Sequence, residues 1–481
     1  MSSMSLAGIA IAMPEIYLLG AISLLLLVDL FLPERLRQVT YIGALGTLVL
    51  TAYVVALSAG SFGGREYGLS GMYVRDDLAR LLKLVTCATV AATFLYGRDY
   101  LIARGLFKGE FFVISLLAVL AIFVMASAGS LLTMYLGIEI LALSQYTLVA
   151  FDRESPVAAE SAMKYFVLGA IASGMILYGI SIIYGVTGTF SLGELSVGVT
   201  ADLVHNVGLL FGVAFLLAGI AFKFGAVPFH MWVPDVYHGA PTAVTLFLGA
   251  APKLAYFALI FRVLAQGLGG MSGAWDGMVT VLALLSIGLG SLVGLSQTNI
   301  KRLLAYSTIA NVGFVLLGIG AGTPDGYRAA LFYTITYVLM ALGSFATIIL
   351  LSRKGFESDR IDDFKGLARS SPWFAWMMLF LMMSTAGIPP FVGFFSKLYV
   401  LQAVVGAGHP WVAGIALVFS VIAAFYYLKI VKVMFFDEPE TDAVVSGGPA
   451  LRFLLSLNAL ATLALGFTST ALLAAIAHTI R

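Results

Sequence analysis

Fourteen apolar runs, most near or above the roughly 20 residues a helix needs to cross a bilayer, decide what this chain can fold into. They fall at about 15–32, 40–61, 77–97, 110–128, 130–151, 159–184, 206–238, 241–265, 277–297, 300–321, 326–352, 372–405, 410–436 and 451–478. In lipid every backbone group must be satisfied within the chain, which a helix does locally. The expectation is therefore an all-α polytopic membrane protein with about 14 transmembrane helices. The seventh and twelfth runs are too long for one crossing, and each carries proline near its middle. Composition agrees: 11% of residues are charged, against about 25% in a soluble domain. A soluble enzyme and a nucleic-acid binder are excluded. The first charge is Glu15, with no basic segment before the first run, so no cleavable leader is expected.

Redox and nucleotide chemistry find no residues to work with. The single cysteine, Cys87, cannot form a disulfide within the chain or hold an iron–sulfur cluster or zinc ion. There is no G-x-x-x-x-G-K-[ST] loop. Gly318, Gly320 and Gly322 lie in an apolar run with no strand before them, which marks them as helix-packing residues. The chain is expected to carry no metal and no cofactor of its own.

The basic residues set the topology. Seventeen of the 27 fall on loops and helix ends of one side, from Arg35 to Arg452, and six on the other. By the positive-inside rule the richer side is cytoplasmic, and both termini lie outside. Four remain inside helices: Lys83, Lys223, Lys253 and Lys397. Lys83, one turn from Arg80 and close to Asp76 and Asp77, is read as a helix-end residue that snorkels. The other three are the informative ones. A lysine at mid-bilayer costs about 2.5–3.5 kcal/mol on insertion scales, and such residues mark ion or proton routes.

Glu139 lies ten residues into the fifth helix, about 15 Å deep at 1.5 Å per residue, and is the charged residue of that helix core. Lys223 on the seventh helix is its natural partner in a buried pair. Pro228, five residues on, lacks an N–H and clashes with a carbonyl in the preceding turn. It should break the helix and free carbonyls beside Lys223. In the twelfth helix Pro389 and Pro390 precede Lys397. The two broken helices are five apart, so they run in opposite directions. The pattern is that of an inverted repeat, helices four to eight against nine to thirteen. It divides the chain into 1–109, 110–265, 266–436 and 437–481. Lys253, halfway along the eighth helix, has no carboxylate within a turn. Burial disfavours its charged form, so it can lose and regain a proton. Lys301 is shallower, readable as a helix-end cation or as a relay member. His230 and His238 are candidate proton-uptake groups, because histidine titrates near neutrality.

Three long stretches carry a resemblance. Phe222-Lys223 through Pro228-Phe229-His230-Met231-Trp232-Val233-Pro234-Asp235-Val236-Tyr237-His238-Gly239-Ala240-Pro241-Thr242 is one. Gln297-Thr298-Asn299-Ile300-Lys301-Arg302-Leu303-Leu304-Ala305-Tyr306-Ser307 and Gly387-Ile388-Pro389-Pro390…Gly393-Phe394…Ser396-Lys397 are the others. Together they resemble the antiporter-like membrane subunits of respiratory complex I, NADH:quinone oxidoreductase. Pro234-Asp235-Val236-Tyr237-His238 and the Gln-Thr-Asn-Ile-Lys-Arg stretch match the N type among the L, M and N types. The resemblance implies proton translocation in a bacterial inner membrane, driven by redox chemistry in other subunits. It implies Glu139 and Lys223 as a coupled pair, Lys253 as central relay, Lys397 as exit-side lysine, and Lys301 as a second-repeat member. FMN, iron–sulfur clusters and quinone would belong to partner subunits. Expected partners are the lipid bilayer, an M-type neighbour and small membrane subunits, with no nucleic acid. A sodium/proton antiporter subunit and a structural scaffold are the alternatives.

Overall fold

The structure is a computed structural model that describes the whole chain except residues 1–5, 59–63, 199–202, 204, 439–444 and 481. It is a helical bundle. In order, the membrane helices are α1 (Met13–Phe31), α2 (Gln38–Leu57), α3 (Asp77–Ala103), α4 (Gly109–Ala126), α5 (Leu131–Val149) and α6 (Pro156–Thr187). There follow the two pieces α7a (Val207–Phe224) and α7b (Trp232–Gly239), then α8 (Thr242–Ile260), α9 (Ser272–Leu295), α10 (Ile300–Gly320) and α11 (Pro324–Leu351). The pieces α12a (Pro372–Ala386) and α12b (Val392–Gly406), then α13 (Pro410–Phe436) and α14 (Pro449–Phe467), complete the bundle. Thirteen of these helices are long and apolar enough to cross a membrane. The halves of α12 together make the fourteenth crossing.

Local chemistry sets the ends. Side chains of Asp76, Ser130, Ser155, Asn206, Asn299 and Thr323 each accept a hydrogen bond from a backbone N–H in the first turn of the helix they precede. This satisfies donors that a helix leaves orphaned. Glycines in left-handed backbone, Gly188, Gly225 and Gly387, close α6, α7a and α12a. The final predicted crossing is divided: α14 stops at Phe467, and a separate helix runs from Ser469 to Ala477. Beyond Ile260, α8 continues as a π-helical turn to Gly267.

Packing sorts the helices into a core and a jacket. Every residue of α8 is buried, and α10 and α11 nearly match it. Large apolar side chains of α1, α2, α5, α6 and α13 face outward, among them Leu30, Phe31, Leu136, Phe166 and Phe425. In lipid, helix association depends on close van der Waals contact rather than on escape from water. The α9–α10 seam shows how this is achieved: a Cβ on Gly290 would lie 2.7 Å from Ala310 N and Tyr306 O.

The two ends of the bundle are fastened differently. On one face, a hairpin of β1 (Glu66–Gly68) and β2 (Tyr73–Arg75) lies over the α4–α5 turn, with Val74 N donating to Ser127 O at 2.8 Å. Arg262 joins that face, donating to Ala126 O at 2.7 Å and to both carboxylate oxygens of Asp76. On the opposite face the Ser352–Arg360 loop meets Arg104, just past the end of α3, and Thr242 of α8.

Lys83 departs from its sequence reading. It does not snorkel. Its side chain is 5% exposed and pairs at 2.6 Å with Glu15 of α1, itself 8% exposed. The ammonium also donates to the Tyr73 hydroxyl at 3.2 Å. Intra-helix spacing pointed to the acids near Asp76. The partner came from a helix some seventy positions away.

Candidate functional site

The two helix breaks are built alike. In each, the first half-helix ends on a left-handed glycine, Gly225 (φ +76°) or Gly387 (φ +84°). The next residue's N–H reaches back across the turn, Ala226 to Ala221 O and Ile388 to Met383 O. Three residues past each glycine comes a proline, Pro228 or Pro390, after a cis peptide bond. Pro228, Pro389 and Pro390 face outward from the chain. The carbonyl ends of α7a and α12a face inward.

Those carbonyls are where the central lysines bind. Lys253 Nζ donates to Phe224 O, the last carbonyl of α7a, at 3.2 Å. Lys397 Nζ donates to Ala386 O, the last carbonyl of α12a, at 2.9 Å, and to Ser420 Oγ at 3.0 Å. Both lysines are buried. A helix C-terminus carries about half a negative charge, so each ammonium is held by a dipole end and not by a carboxylate. Lys223, also buried, donates to Ser173 Oγ of α6 at 3.1 Å.

The predicted contact pair Glu139–Lys223 is not closed. Among the described residues no cation lies within 4.0 Å of the Glu139 carboxylate, and its Oε1 is buried without a hydrogen-bond partner. Glu139 is half-buried on a face of α5 whose neighbours Leu136 and Leu143 are exposed. The reason is geometric: Lys223 turns toward α6, where Ser173 offers an oxygen.

Lys301 is no helix-end cation in water. It is 3% exposed and donates to Ala240 O, just before α8, at 2.7 Å. The histidines part company. His238 faces Asp359, its Nε2 3.7 Å from the carboxylate. His230 lies in the α7a–α7b linker, its Nδ1 buried without a partner among the described residues. His238 beside it holds the Asp359 carboxyl below its usual range; burial opposes this, and Lys301 and Asn299 reinforce it.

Near the lysines lies a set of polar side chains that the sequence analysis did not single out. Tyr165 and Tyr256 hydroxyls both donate to Gln145 Oε1, at 3.0 and 2.9 Å. Tyr337 donates to Thr308 Oγ1 at 2.8 Å. Tyr427, Ser307, Asn311 and Tyr333 form one continuous chain, with contacts of 2.5, 3.2 and 2.6 Å. Tyr333 stacks on Phe314, over whose ring Lys397 Nζ sits at 5.4 Å. A signal was present: Gln145 and Asn311 are amides deep inside apolar helices, where an unsatisfied amide is expensive. Such residues imply partners, and buried tyrosines supply them.

Comparison with known proteins follows the same lines. Residues 128–423 match the family described as NADH:quinone oxidoreductase/Mrp antiporter, TM. NADH-quinone oxidoreductase subunit N of Thiobacillus denitrificans is 52% identical over 471 residues, 98% of this chain and 97% of that one. The subunit N of Nitrosomonas europaea is 49% identical over 456 residues, 95% of this chain and 94% of that one. A chain in the structure of respiratory complex I from Thermus thermophilus with bound aureothin superposes with TM-score 0.84 at 31% identity, over 97% of this chain and all of that one. A chain of the Mrp complex from Dietzia sp. DQ12-45-1b has TM-score 0.81 at 24% identity, over 100% of this chain and 97% of that one, a likeness of fold.

Proposed function

The chain belongs to the subunit N family of NADH-quinone oxidoreductase, within the wider antiporter-like membrane subunits, and from that premise we propose how its residues move protons. The carrying observation is the pair of buried lysines on the carbonyl ends of broken helices. A lysine facing a carboxylate is locked, because losing its proton strands the partner's charge. Lys253 and Lys397 face dipoles and a hydroxyl. Each can become neutral at the loss of hydrogen bonds alone, so each can hold a proton for part of a cycle.

Glu139 starts the cycle. Its carboxylate stands at the edge of the chain, beside an apolar face open to a neighbouring subunit. A charge or conformational change next door alters Glu139, whose field reaches Lys223 across the gap. Lys223 then gives up its proton toward Lys253, through water and the Tyr165–Gln145–Tyr256 group. The proton continues along the hydroxyl chain of α10, α11 and α13 to Lys397. Buried groups this close titrate jointly. Moving one charge against 100 mV takes about 2.3 kcal/mol, supplied by redox chemistry in partner subunits.

Those partners are an M-type neighbour and small membrane subunits, and FMN, iron–sulfur clusters and quinone reside outside this chain. The single cysteine supports that division. The complex sits in the bacterial inner membrane with both termini of this chain on the outer side.

The test is Lys253→Ala in the whole complex, reconstituted in vesicles. The complex is expected to assemble and to lose most proton uptake per NADH oxidised. Undiminished pumping would refute the relay. Sodium-driven proton exchange without NADH would favour antiport instead.

A further inference from the structure

On the face of the bundle rich in basic residues, one carboxylate ties a loop to the ends of two helices. Glu357, in the Ser352–Arg360 loop, is gripped by three residues at once. The Tyr100 hydroxyl of α3 donates to Oε2 at 3.1 Å and Oε1 at 3.2 Å. Arg104 forms an ion pair with it, and Thr242, the first residue of α8, donates its hydroxyl. The Thr242 backbone N–H in turn donates to Tyr100 at 2.9 Å. The Glu357 side chain is 27% exposed, so water reaches one side of it. Lys301 is enclosed close by: its Nζ donates to Ala240 O at 2.7 Å, two residues before Thr242, and its neighbour Ile300 N donates to Asp359 O at 2.7 Å, two residues after Glu357.

We propose that Glu357 is the proton-loading group of this chain, taking protons from the basic-rich aqueous side and passing them to Lys301. The reading rests on the proton-translocating function above. Of Glu357 and Lys301, one is partly open to water and the other is buried inside the bundle, the arrangement an intake step needs. The step balances. The Glu357 carboxylate takes a proton from water and becomes a neutral acid. It then gives that proton to the neutral Lys301 amine, so the carboxylate returns and an ammonium forms. A loop needing only to be held shut has other fastenings, since Asp359 already bonds Asn299 Nδ2 at 2.9 Å and Ile300 N at 2.7 Å. The other titratable groups facing this cluster are Tyr100, His238 and Asp359.

The experiment uses the whole complex in vesicles, with proton flux divided by the amount of assembled complex. Glu357→Gln keeps the shape and the acceptor oxygen but cannot load a proton. Flux is expected to fall by at least about tenfold, the low side of what a positioned proton-transfer group contributes. Glu357→Asp should restore it. A second pair of variants works even where the amide does not assemble. Histidine's ordinary pKa is about 6.5 and aspartate's about 3.9. The alkaline limb of the flux–pH profile should therefore lie at higher pH in Glu357→His than in Glu357→Asp. Wild-type flux in Glu357→Gln, or superimposable profiles in the last two, overturns the proposal. Lys253→Ala run alongside separates the failures: if it pumps normally, the underlying function is wrong instead.

Discussion

A buried ammonium is defined by what accepts its hydrogen bonds, and this chain holds two kinds. Lys83 faces a carboxylate, Glu15, in a closed and nearly dry pair. Lys253 and Lys397 face carbonyls, and Lys223 a hydroxyl. The first kind fastens, and the second can cycle. Glu15→Ala or Lys83→Ala alone should each cost about 3–5 kcal/mol, largely from the stranded charge. The double variant Glu15→Leu with Lys83→Met should recover most of that loss. A double-mutant cycle on unfolding in detergent checks this, and purely additive losses would show that the pair does not couple. Proton pumping should survive in the double variant, because this pair fastens α1 to α3 outside the lysine row.

At the scale of elements, the informative features are the breaks in α7 and α12. A proline in a long apolar run made both legible, but not which atoms they free. That depends on the left-handed glycine ahead of each proline, which aims the last carbonyl at a lysine brought in by tertiary packing. The two breaks use different helices for this: α8 supplies Lys253, and α12b supplies Lys397 from the same crossing. Gly387→Ala tests the arrangement. Left-handed backbone costs a residue with a Cβ about 1–2 kcal/mol, and the new Cβ would lie 2.9 Å from Lys397 Cδ. The lysine must shift off Ala386 O. Assembly is expected to survive while proton flux per assembled complex drops several-fold. Unchanged flux would show that the Lys397–Ala386 contact is dispensable.

For the whole molecule, crossings and their alternation were legible because hydropathy and charge are local properties read along one chain. The buried partners were not, because they join distant helices. Glu15 finds Lys83, Glu357 finds Arg104, and Gln145 collects two tyrosines. Lys223 looked paired with Glu139 by depth, yet rotation about the helix axis carries it to Ser173. Topology itself can be checked cleanly, since the single cysteine, Cys87, is buried. Asp325→Cys should react with a membrane-impermeant thiol reagent added outside intact cells. Lys354→Cys should react only after the membrane is opened. The reverse pattern would invert the assigned orientation.

Two lysines resting on helix dipoles also say which substitute the machine cannot accept. Arginine would fit the charge and bond a carbonyl, but it does not give up its proton in a protein. Lys253→Arg would thus turn a rechargeable site into a permanently charged one. The complex should assemble yet stall with the row jammed in its loaded state, holding quinone reduction back along with proton flux. Full turnover with arginine at 253 would mean that this nitrogen never discharges. A stalled, assembled complex would instead offer a single long-lived intermediate for structure determination, caught by chemistry rather than by freezing.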